Sequence, residues 1–402
     1  MSTHAVILTL AGVMFAGVFC RIVAEPLGVS YAGLSLLFGF LASEALTAGG
    51  VDLGLRWYHF REIVFFGIIP LLVFNAAIQF DSSLLRRHLL AILVLSIPIG
   101  ILTGCLVALS VFFGINHASG FPFIVALLLG GILTATDPEQ LLDKLDAANR
   151  DRRLWALLKG ESLCNDVIAV MLFSLLLSVI LMQDESVSLL IVSAKLLWVI
   201  VGGLGAGFVF AKFIAAIVVK IKSEECSVIL LIAAAYALYV LSDQILSASG
   251  VLSVFVFSLV LKPVVEKTST KRIFNMLGEL AAMWLFVLVG VSITLAQFSD
   301  RWLAISIAIV ALLFARGIAA IVFSLLVTLC KLENAALTRR EKIGVAVSGS
   351  PGAVALALAI SIPLATPAWY TVQSAVYGVV AFGIFIQTPL ASWLLFEHAK
   401  PA

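Results

Sequence analysis

Apolar segments long enough to cross a lipid bilayer dominate this sequence. The chain has 402 residues, of which 62% are hydrophobic and only 12% are charged. A membrane-spanning helix needs about 20 mostly apolar residues, and a soluble core cannot bury so large an apolar fraction. We therefore predict an all-α polytopic membrane protein with about thirteen transmembrane helices. The predicted spans lie near residues 5–23, 28–46, 62–80, 89–113, 121–146, 154–182, 187–219, 226–242, 248–262, 279–298, 302–330, 341–363 and 370–396.

Basic residues are distributed unevenly among the connectors between these spans. Alternate connectors and the C-terminal tail carry eighteen Lys and Arg residues, whereas the opposite set carries only Arg56, Arg61 and Arg301. Because basic residues favour the cytoplasmic side, we predict an N-terminus outside and a C-terminus in the cytoplasm of a plasma or inner membrane. The first span begins without a basic n-region or a clear cleavage site, so we expect a spanning helix there and not a signal peptide.

The two halves of the chain share features at a nearly constant offset. Pro138 and Pro351 are 213 residues apart, and Gln-Phe pairs at 79–80 and 297–298 end two predicted spans. An odd number of spans between the copies inverts the second one, as in secondary transporters. We therefore expect an inverted repeat with two crossing discontinuous helices and no soluble regulatory domain. The single membrane transport domain, 1–402, divides into a first half at 1–186 with its core motifs at 121–182, a linker helix at 187–225, and an inverted second half at 226–402.

A proline interrupts the fifth predicted span directly after a polar cluster. The cluster contains Thr134, Thr136 and Asp137, and Pro138 follows. Proline lacks an N–H group and disfavours the helical conformation of the preceding residue. Asp137 can therefore cap a new helix, with Gln140 at the capping-box position.

Two interpretations of this interruption remain open. It is either an ordinary cap at the cytoplasmic end of a span or a break inside the membrane. A matching interruption at 348–352, which contains Ser350, favours the break. Paired interruptions in two halves are the best sequence indication of a transport site, because the freed backbone groups can replace water around an ion.

The sixth predicted span carries a second polar cluster. Glu161, Ser162, Asn165 and Asp166 form two pairs four residues apart, so they share one side of a helix. Carboxylates within a membrane are rare and are functional by default. A carboxylate at the depth of Asp166 holds either a proton or a monovalent cation, and that competition is sufficient chemistry for exchange. Ser162 adds a hydroxyl ligand one turn away, and Asn165 is neutral.

Other polar residues in apolar spans have less specific assignments. Glu161 needs a counter-charge, and we predict a structural ion pair with Arg316, with Lys159 as the alternative partner. Asn75 either makes an interhelical hydrogen bond or lines the site, and Thr134 and Ser350 are further candidates to line it. Lys195 and Lys212 are expected to extend toward the membrane surface, and Asp243 to lie at the membrane interface.

With these motifs in place, the chain resembles the sodium/proton exchanger family, the first family of monovalent cation/proton antiporters. The resemblance covers nearly the whole chain and is strongest at T-D-P (136–138) and G-E-S-L-C-N-D (160–166). It implies thirteen helices, a homodimer and alternating access, with no cofactor other than the transported ions. It also implies that Asp166 binds the cation (Na⁺, with K⁺ or Li⁺ as alternatives) and the proton. Ser162 and the main chain at Thr136 would complete the cation ligands, with Asp137 shaping the site. Asn165 would be the neutral partner typical of electroneutral members.

Two positions depart from the pattern of that family. Many relatives have an acidic residue where this chain has Asn75, and an arginine where it has Pro351. One ligand charge is therefore missing, and the counter-charge for Glu161 falls on Arg316 alone. These departures leave a solute or ion symporter, or a non-transporting sensor on the same fold, as the alternative function. An intramembrane aspartyl protease using Asp137 and Asp166 is disfavoured, because no Gly-x-Gly-Asp pattern occurs.

Overall fold

The structure is a computed structural model, and its described residues contain helices and no strand. It describes residues 3–27, 29–49, 57–79, 82–115, 120–139, 141–142, 145, 152–181, 189–265, 268–329 and 337–396. The all-α expectation is therefore confirmed for this part of the chain. The position of Gln140 lies outside the described residues, as do Arg56 and much of the connector between the fifth and sixth spans.

The first half of the chain forms seven helices, two of which are subdivided. In α3 a π-helical turn joins two α-helical parts, and α4 continues through Ile97 with a kink at Pro98. The bounds are α1 Thr3–Leu27; α2 Tyr31–Ala48; α3 Trp57–Glu62, Ile63–Ile68 and Ile69–Gln79; α4 Ser82–Ser96 and Pro98–Gly114; α5 Phe123–Leu133; α6 Arg152–Leu181; and α7 Leu189–Val218.

The second half also forms seven helices, and two of them include π-helical turns. These turns lie in α8 and α14. The bounds are α8 Glu224–Val240 and Leu241–Ile245; α9 Gly250–Val265; α10 Thr268–Ser292; α11 Leu295–Leu329; α12 Arg339–Val347; α13 Ala353–Ile360; and α14 Trp369–Phe382, Gly383–Gln387 and Thr388–Phe396.

The helices have the lengths that a bilayer requires. Within the described residues, nine are long and apolar enough to cross a membrane, and α5 and α9 are shorter apolar helices. Each of the thirteen predicted spans overlaps a helix or a broken pair of helices. The total of thirteen spans stays a prediction, as does the division into halves.

One boundary used in the repeat comparison is wrong. The predicted span 279–298 does not end at the Gln-Phe pair, because α10 ends at Ser292 and Gln297 lies in the first turn of α11. The side-chain oxygen of Gln297 accepts a hydrogen bond from the Thr294 backbone N–H at 3.0 Å, which caps the new helix. Gln79, by contrast, is the last residue of α3. The two Gln-Phe pairs are therefore not structurally equivalent.

Small residues let the helices approach closely where the core is densest. A Cβ atom added to Gly130 in α5 would collide with the backbone of Gly104 in α4, and one added to Gly290 in α10 would collide with Leu36 in α2. Such contacts are characteristic of helix packing in membranes, where association depends on close van der Waals fit. They fix α5 against α4, and so position the first break.

Candidate functional site

The two interruptions predicted from the prolines are breaks in helices, and they meet inside the protein. After α5 the backbone leaves the helix at 135–138, and the chain between α12 and α13 is non-helical at 349–352. The Asp137 N–H donates to the Ser350 carbonyl oxygen at 2.8 Å, which joins the breaks directly. Thr136 and Ser350 are both about 5% exposed or less. This burial favours the break over the exposed cap.

Asp137 lies between the beginnings of two half-helices. Its carboxylate accepts from the Glu139 N–H at 3.3 Å and from the Ala353 N–H, the first residue of α13. A helix N-terminus carries a partial positive charge and unsatisfied N–H groups. One carboxylate therefore stabilises the N-terminal ends of both half-helices. Gly352 permits this arrangement, because a side chain there would collide with Asp137.

Arg316 performs the opposite role at the end of α12. The structure brings Arg316 Nη1 into an ion pair with Glu161 Oε1 in α6, and both side chains are 3% exposed or less. Arg316 Nη2 donates to the Val345 carbonyl oxygen, in the last turn of α12, at 2.5 Å. The guanidinium therefore meets a carboxylate and the partly negative end of a half-helix. It lies against Gly349, where any side chain would collide with it.

The neutral side chains of α6 connect this ion pair to the first break. Ser162 Oγ donates to the Thr136 carbonyl oxygen at 2.6 Å. Asn165 Nδ2 lies 3.4 Å from Thr136 Oγ1 and 3.3 Å from Glu161 Oε1. Asn165 Oδ1 is buried, and no described residue donates to it. The arrangement holds the Thr136 carbonyl and the Ser162 hydroxyl together and leaves one amide oxygen available.

Asp166 lies one helical turn beyond Ser162 on α6. It is partly exposed, whereas the neighbouring Asn165 is buried. The negative charges of Asp137 and Glu139 act on it unfavourably, and the charge of Lys159 acts favourably. Asp166 therefore combines a largely desolvated surrounding, a nearby like charge and a partly exposed side chain.

A large cavity reaches the paired breaks from one end of the molecule. Its volume is about 670 Å³, and its polar lining includes Asp137, Glu139, Tyr31 and Ser350. Phe286, Ile384 and Phe385 supply apolar walls. The cavity lies at the end that the basic connectors predict to be cytoplasmic. It gives water and ions a path to Asp137.

Three side chains named in the sequence analysis have partners away from this cluster. Thr134 Oγ1 donates to the Gly131 carbonyl oxygen of its own helix at 2.7 Å. Asn75 Oδ1 accepts from Gln79 Nε2 at 2.6 Å, and its side chain packs against Gly278 of α10. Lys159, the alternative partner of Glu161, pairs instead with Glu139 at 3.6 Å. A site-lining role for Thr134, Asn75 or Ser350 stays a prediction.

Several contributors to this geometry were absent from the sequence predictions. Glu139 follows Pro138 directly, and its position near the start of a half-helix places it within reach of Lys159, two residues before Glu161 on α6. Gly349 and Gly352 flank the second break, and their close contacts with Arg316 and Asp137 depend on helices distant in sequence. The glycines themselves were visible in the motif, but nothing in it indicated what they face.

Comparison with known proteins identifies relatives along almost the whole chain. The family described as "Sodium/hydrogen exchanger, transmembrane" matches residues 6–397. The Na⁺/H⁺ antiporter ApNhaP of Aphanothece halophytica is 28% identical over 352 residues, which are 84% of this chain and 66% of that protein. The low-affinity Na⁺/H⁺ antiporter NhaS1 of a Synechocystis species is 27% identical over 336 residues, 81% of this chain and 63% of that protein. This chain thus spans slightly less than two thirds of each relative.

A solved structure has the same fold. The sodium proton antiporter MjNhaP1 of Methanocaldococcus jannaschii, solved at pH 8, superimposes with a TM-score of 0.83 at 19% sequence identity. The match covers 97% of this chain and 100% of that one. The family match over residues 6–397 establishes that this chain belongs to the transmembrane sodium/hydrogen exchanger family.

Proposed function

We propose that this protein is a secondary active antiporter that exchanges a monovalent cation for H⁺ by alternating access. The observation that carries the proposal is the pair of broken helices joined by the Asp137–Ser350 backbone bond, with Asp166 one turn from Ser162. Relatives over more than four fifths of the chain are Na⁺/H⁺ antiporters, which makes Na⁺ the first cation to test. K⁺ and Li⁺ are the alternatives.

The proposed binding step uses oxygen atoms that the breaks bring to α6. Asp166 holds the cation or the proton, and the Thr136 carbonyl and Ser162 hydroxyl, 2.6 Å apart, complete the cation ligands. Asn165 contributes no titrating group, so one carboxylate exchanges one charge for another. We infer electroneutral exchange from this single charge. Asp137 and the Glu161–Arg316 pair keep the half-helices in position.

The remaining features of the proposal concern the whole assembly. We infer a homodimer, as the family resemblance implies, in a plasma or inner membrane. The uneven distribution of basic residues supports an N-terminus outside and a C-terminus in the cytoplasm. The ions and the lipid bilayer are the partners that this mechanism requires.

Reconstitution into liposomes with an internal pH dye tests this function. Pulses of Na⁺, K⁺ or Li⁺ are expected to drive proton flux with the unmodified protein and not with Asp166→Asn, because an amide cannot exchange a proton for a cation. Asp300→Asn is the matched control, since it removes the same charge from an exposed position at the start of α11. Unchanged flux with Asp166→Asn would refute its assignment. Absence of flux with every cation would favour the non-transporting alternative.

A further inference from the structure

A second cavity lies between α6, α7 and α8, away from the paired breaks. Its volume is about 200 Å³. The turn from α8 into α9 forms one side, where Ser247 adopts a positive φ of 50°. Its main polar side chains are Ser174, Ser178, Lys195, Tyr239 and Asp243. The concentration of polar groups is unusual for a space within spans that are otherwise apolar.

On α6, the lining of this cavity begins one helical turn beyond Asp166. Val170 contributes to its lining and lies one turn of α6, about 6 Å along the axis, beyond Asp166. Ser174 and Ser178 continue toward the end of α6 that is predicted to face outside. The 670 Å³ cavity reaches Asp137 from the predicted cytoplasmic end. One cavity is therefore lined by Asp137, and the other begins one turn of α6 beyond Asp166, toward the opposite predicted side of the membrane.

Two oxygen-bearing side chains, Tyr239 and Asp243, line the second cavity. Tyr239 is 1% exposed, and its hydroxyl has no hydrogen-bond partner in the part of the chain that the structure describes. Asp243 lies close enough for its charge to act on that hydroxyl, and it accepts from the adjacent Gln244 at 2.7 Å. A buried hydroxyl without a partner is unfavourable. A phenolic oxygen beside a carboxylate provides ligands for a monovalent cation.

Lys195 places a fixed positive charge in the same cavity. Its ammonium donates to Ser178 Oγ at 3.2 Å, and its extension toward the membrane surface stays a prediction. This bond crosses from α7 to α6, the helix that carries Asp166. An ammonium at that point repels an entering cation electrostatically.

We propose that this cavity is an outer vestibule for the transported cation and that Lys195 gates it. Asp243 and Tyr239 attract the cation, whereas Lys195 limits its entry until the bond to Ser178 opens. This inference rests on the proposed exchange function and on the proposed orientation. It predicts that Lys195 affects cation entry from the outer side only, because the cytoplasmic cavity is lined by other residues.

Transport kinetics measured separately from each side of the membrane test the gate. In right-side-out vesicles, Lys195→Met is expected to lower the apparent KM for the external cation about three- to tenfold, and Asp243→Asn to raise it by a similar factor, as expected when a local charge is removed. Inside-out vesicles should show an unchanged cytoplasmic KM. Lys212→Met is the matched control, because Lys212 lies on the same helix over the Phe208 ring and outside both cavities. Equal changes on both sides, or none, would overturn the proposal.

Thiol chemistry gives a second readout that does not need transport. Ser174→Cys is introduced into a chain whose native cysteines are replaced and which also carries Asp166→Asn. The rates at which externally added cationic and anionic thiol reagents modify Ser174→Cys are then compared. Lys195→Met is expected to increase the ratio of the cationic to the anionic modification rate at least threefold. An unreactive Ser174→Cys, or a constant ratio, contradicts the vestibule. If exchange fails for every cation while this ratio shifts, the exchange function is wrong and the charged vestibule stands.

Discussion

At the scale of single residues, the site is organised by charges that stabilise the ends of half-helices. Arg316 meets the C-terminal end of α12 through Val345 and pairs with Glu161. Both charged groups are almost fully buried, so each depends on the other for its favourable energy. Within the described residues, Arg316 is the basic side chain that pairs with Glu161.

Arg316→Met is expected to lower folded yield more than it lowers apparent cation affinity. The substitution leaves Glu161 buried without a counter-charge, which costs about 3–5 kcal/mol. Gel filtration and thermal unfolding in detergent measure the folded fraction, and transport by the surviving protein measures affinity. Arg301→Met, at the partly exposed start of the same helix, should be nearly neutral.

A double substitution separates the pair from general loss of packing. Glu161→Gln combined with Arg316→Met should destabilise less than the sum of the two single changes, because the second substitution removes the uncompensated charge. Strictly additive losses would show that the ion pair is not the source of the stability.

The residue types of the site could be read from the sequence, whereas their partners could not. A carboxylate cluster in an apolar span indicates function from the cost of burial alone, and this reasoning selected Glu161, Asn165 and Asp166. The pairing of Lys159 with Glu139 depends on how a broken helix turns after Pro138. Asn75 is one turn from a suitable hydrogen-bond donor, Gln79, but only the packed structure shows that it also faces Gly278.

At the scale of elements, two broken helices replace missing intrahelical bonds with bonds to each other. The Asp137 N–H donates to the Ser350 carbonyl, and the Asp137 carboxylate accepts from α13. Pro138 and Pro351 indicated both breaks, because proline removes a donor and restricts its neighbour. Their relative orientation could not be predicted, since it depends on close backbone contacts such as that between α4 and α5.

Gly352→Ala is expected to disrupt this junction. The added Cβ would overlap the Asp137 side chain, and relief requires a shift of either half-helix. Overpacking of this kind costs about 1–3 kcal/mol. A lower melting temperature in detergent and slower exchange in liposomes would reveal the effect.

Gly317→Ala provides the comparison within the same chain. A Cβ there has no neighbour within 4 Å, and alanine favours the helix of α11 relative to glycine. Its melting temperature should be equal to or above that of the unmodified protein. If both alanine variants behave alike, the contact between Gly352 and Asp137 does not constrain the junction.

At the scale of the whole molecule, the sequence predicts the class of fold better than the boundaries of its parts. Spanning length and apolar composition are local properties, so all thirteen predicted segments overlap helices. The end of α10 was misplaced because the capping bond at Thr294 stops one helix and starts another within an apolar stretch. The orientation of the chain in the membrane follows from the number of basic residues in each connector, and it remains a prediction. A native cysteine can test it.

Cys226 is expected to react with a membrane-impermeant maleimide only from the cytoplasmic side. It is exposed in the first turn of α8, next to a connector that contains Lys220 and Lys222. The measurement uses a chain that retains Cys226 as its only cysteine, in inside-out and right-side-out vesicles. A chain whose only thiol is Ser299→Cys, at the start of α11, should react from the opposite side. Labelling of Cys226 from outside would invert the proposed topology and move the vestibule with Lys195 to the cytoplasmic face, because both cavities are fixed relative to α8.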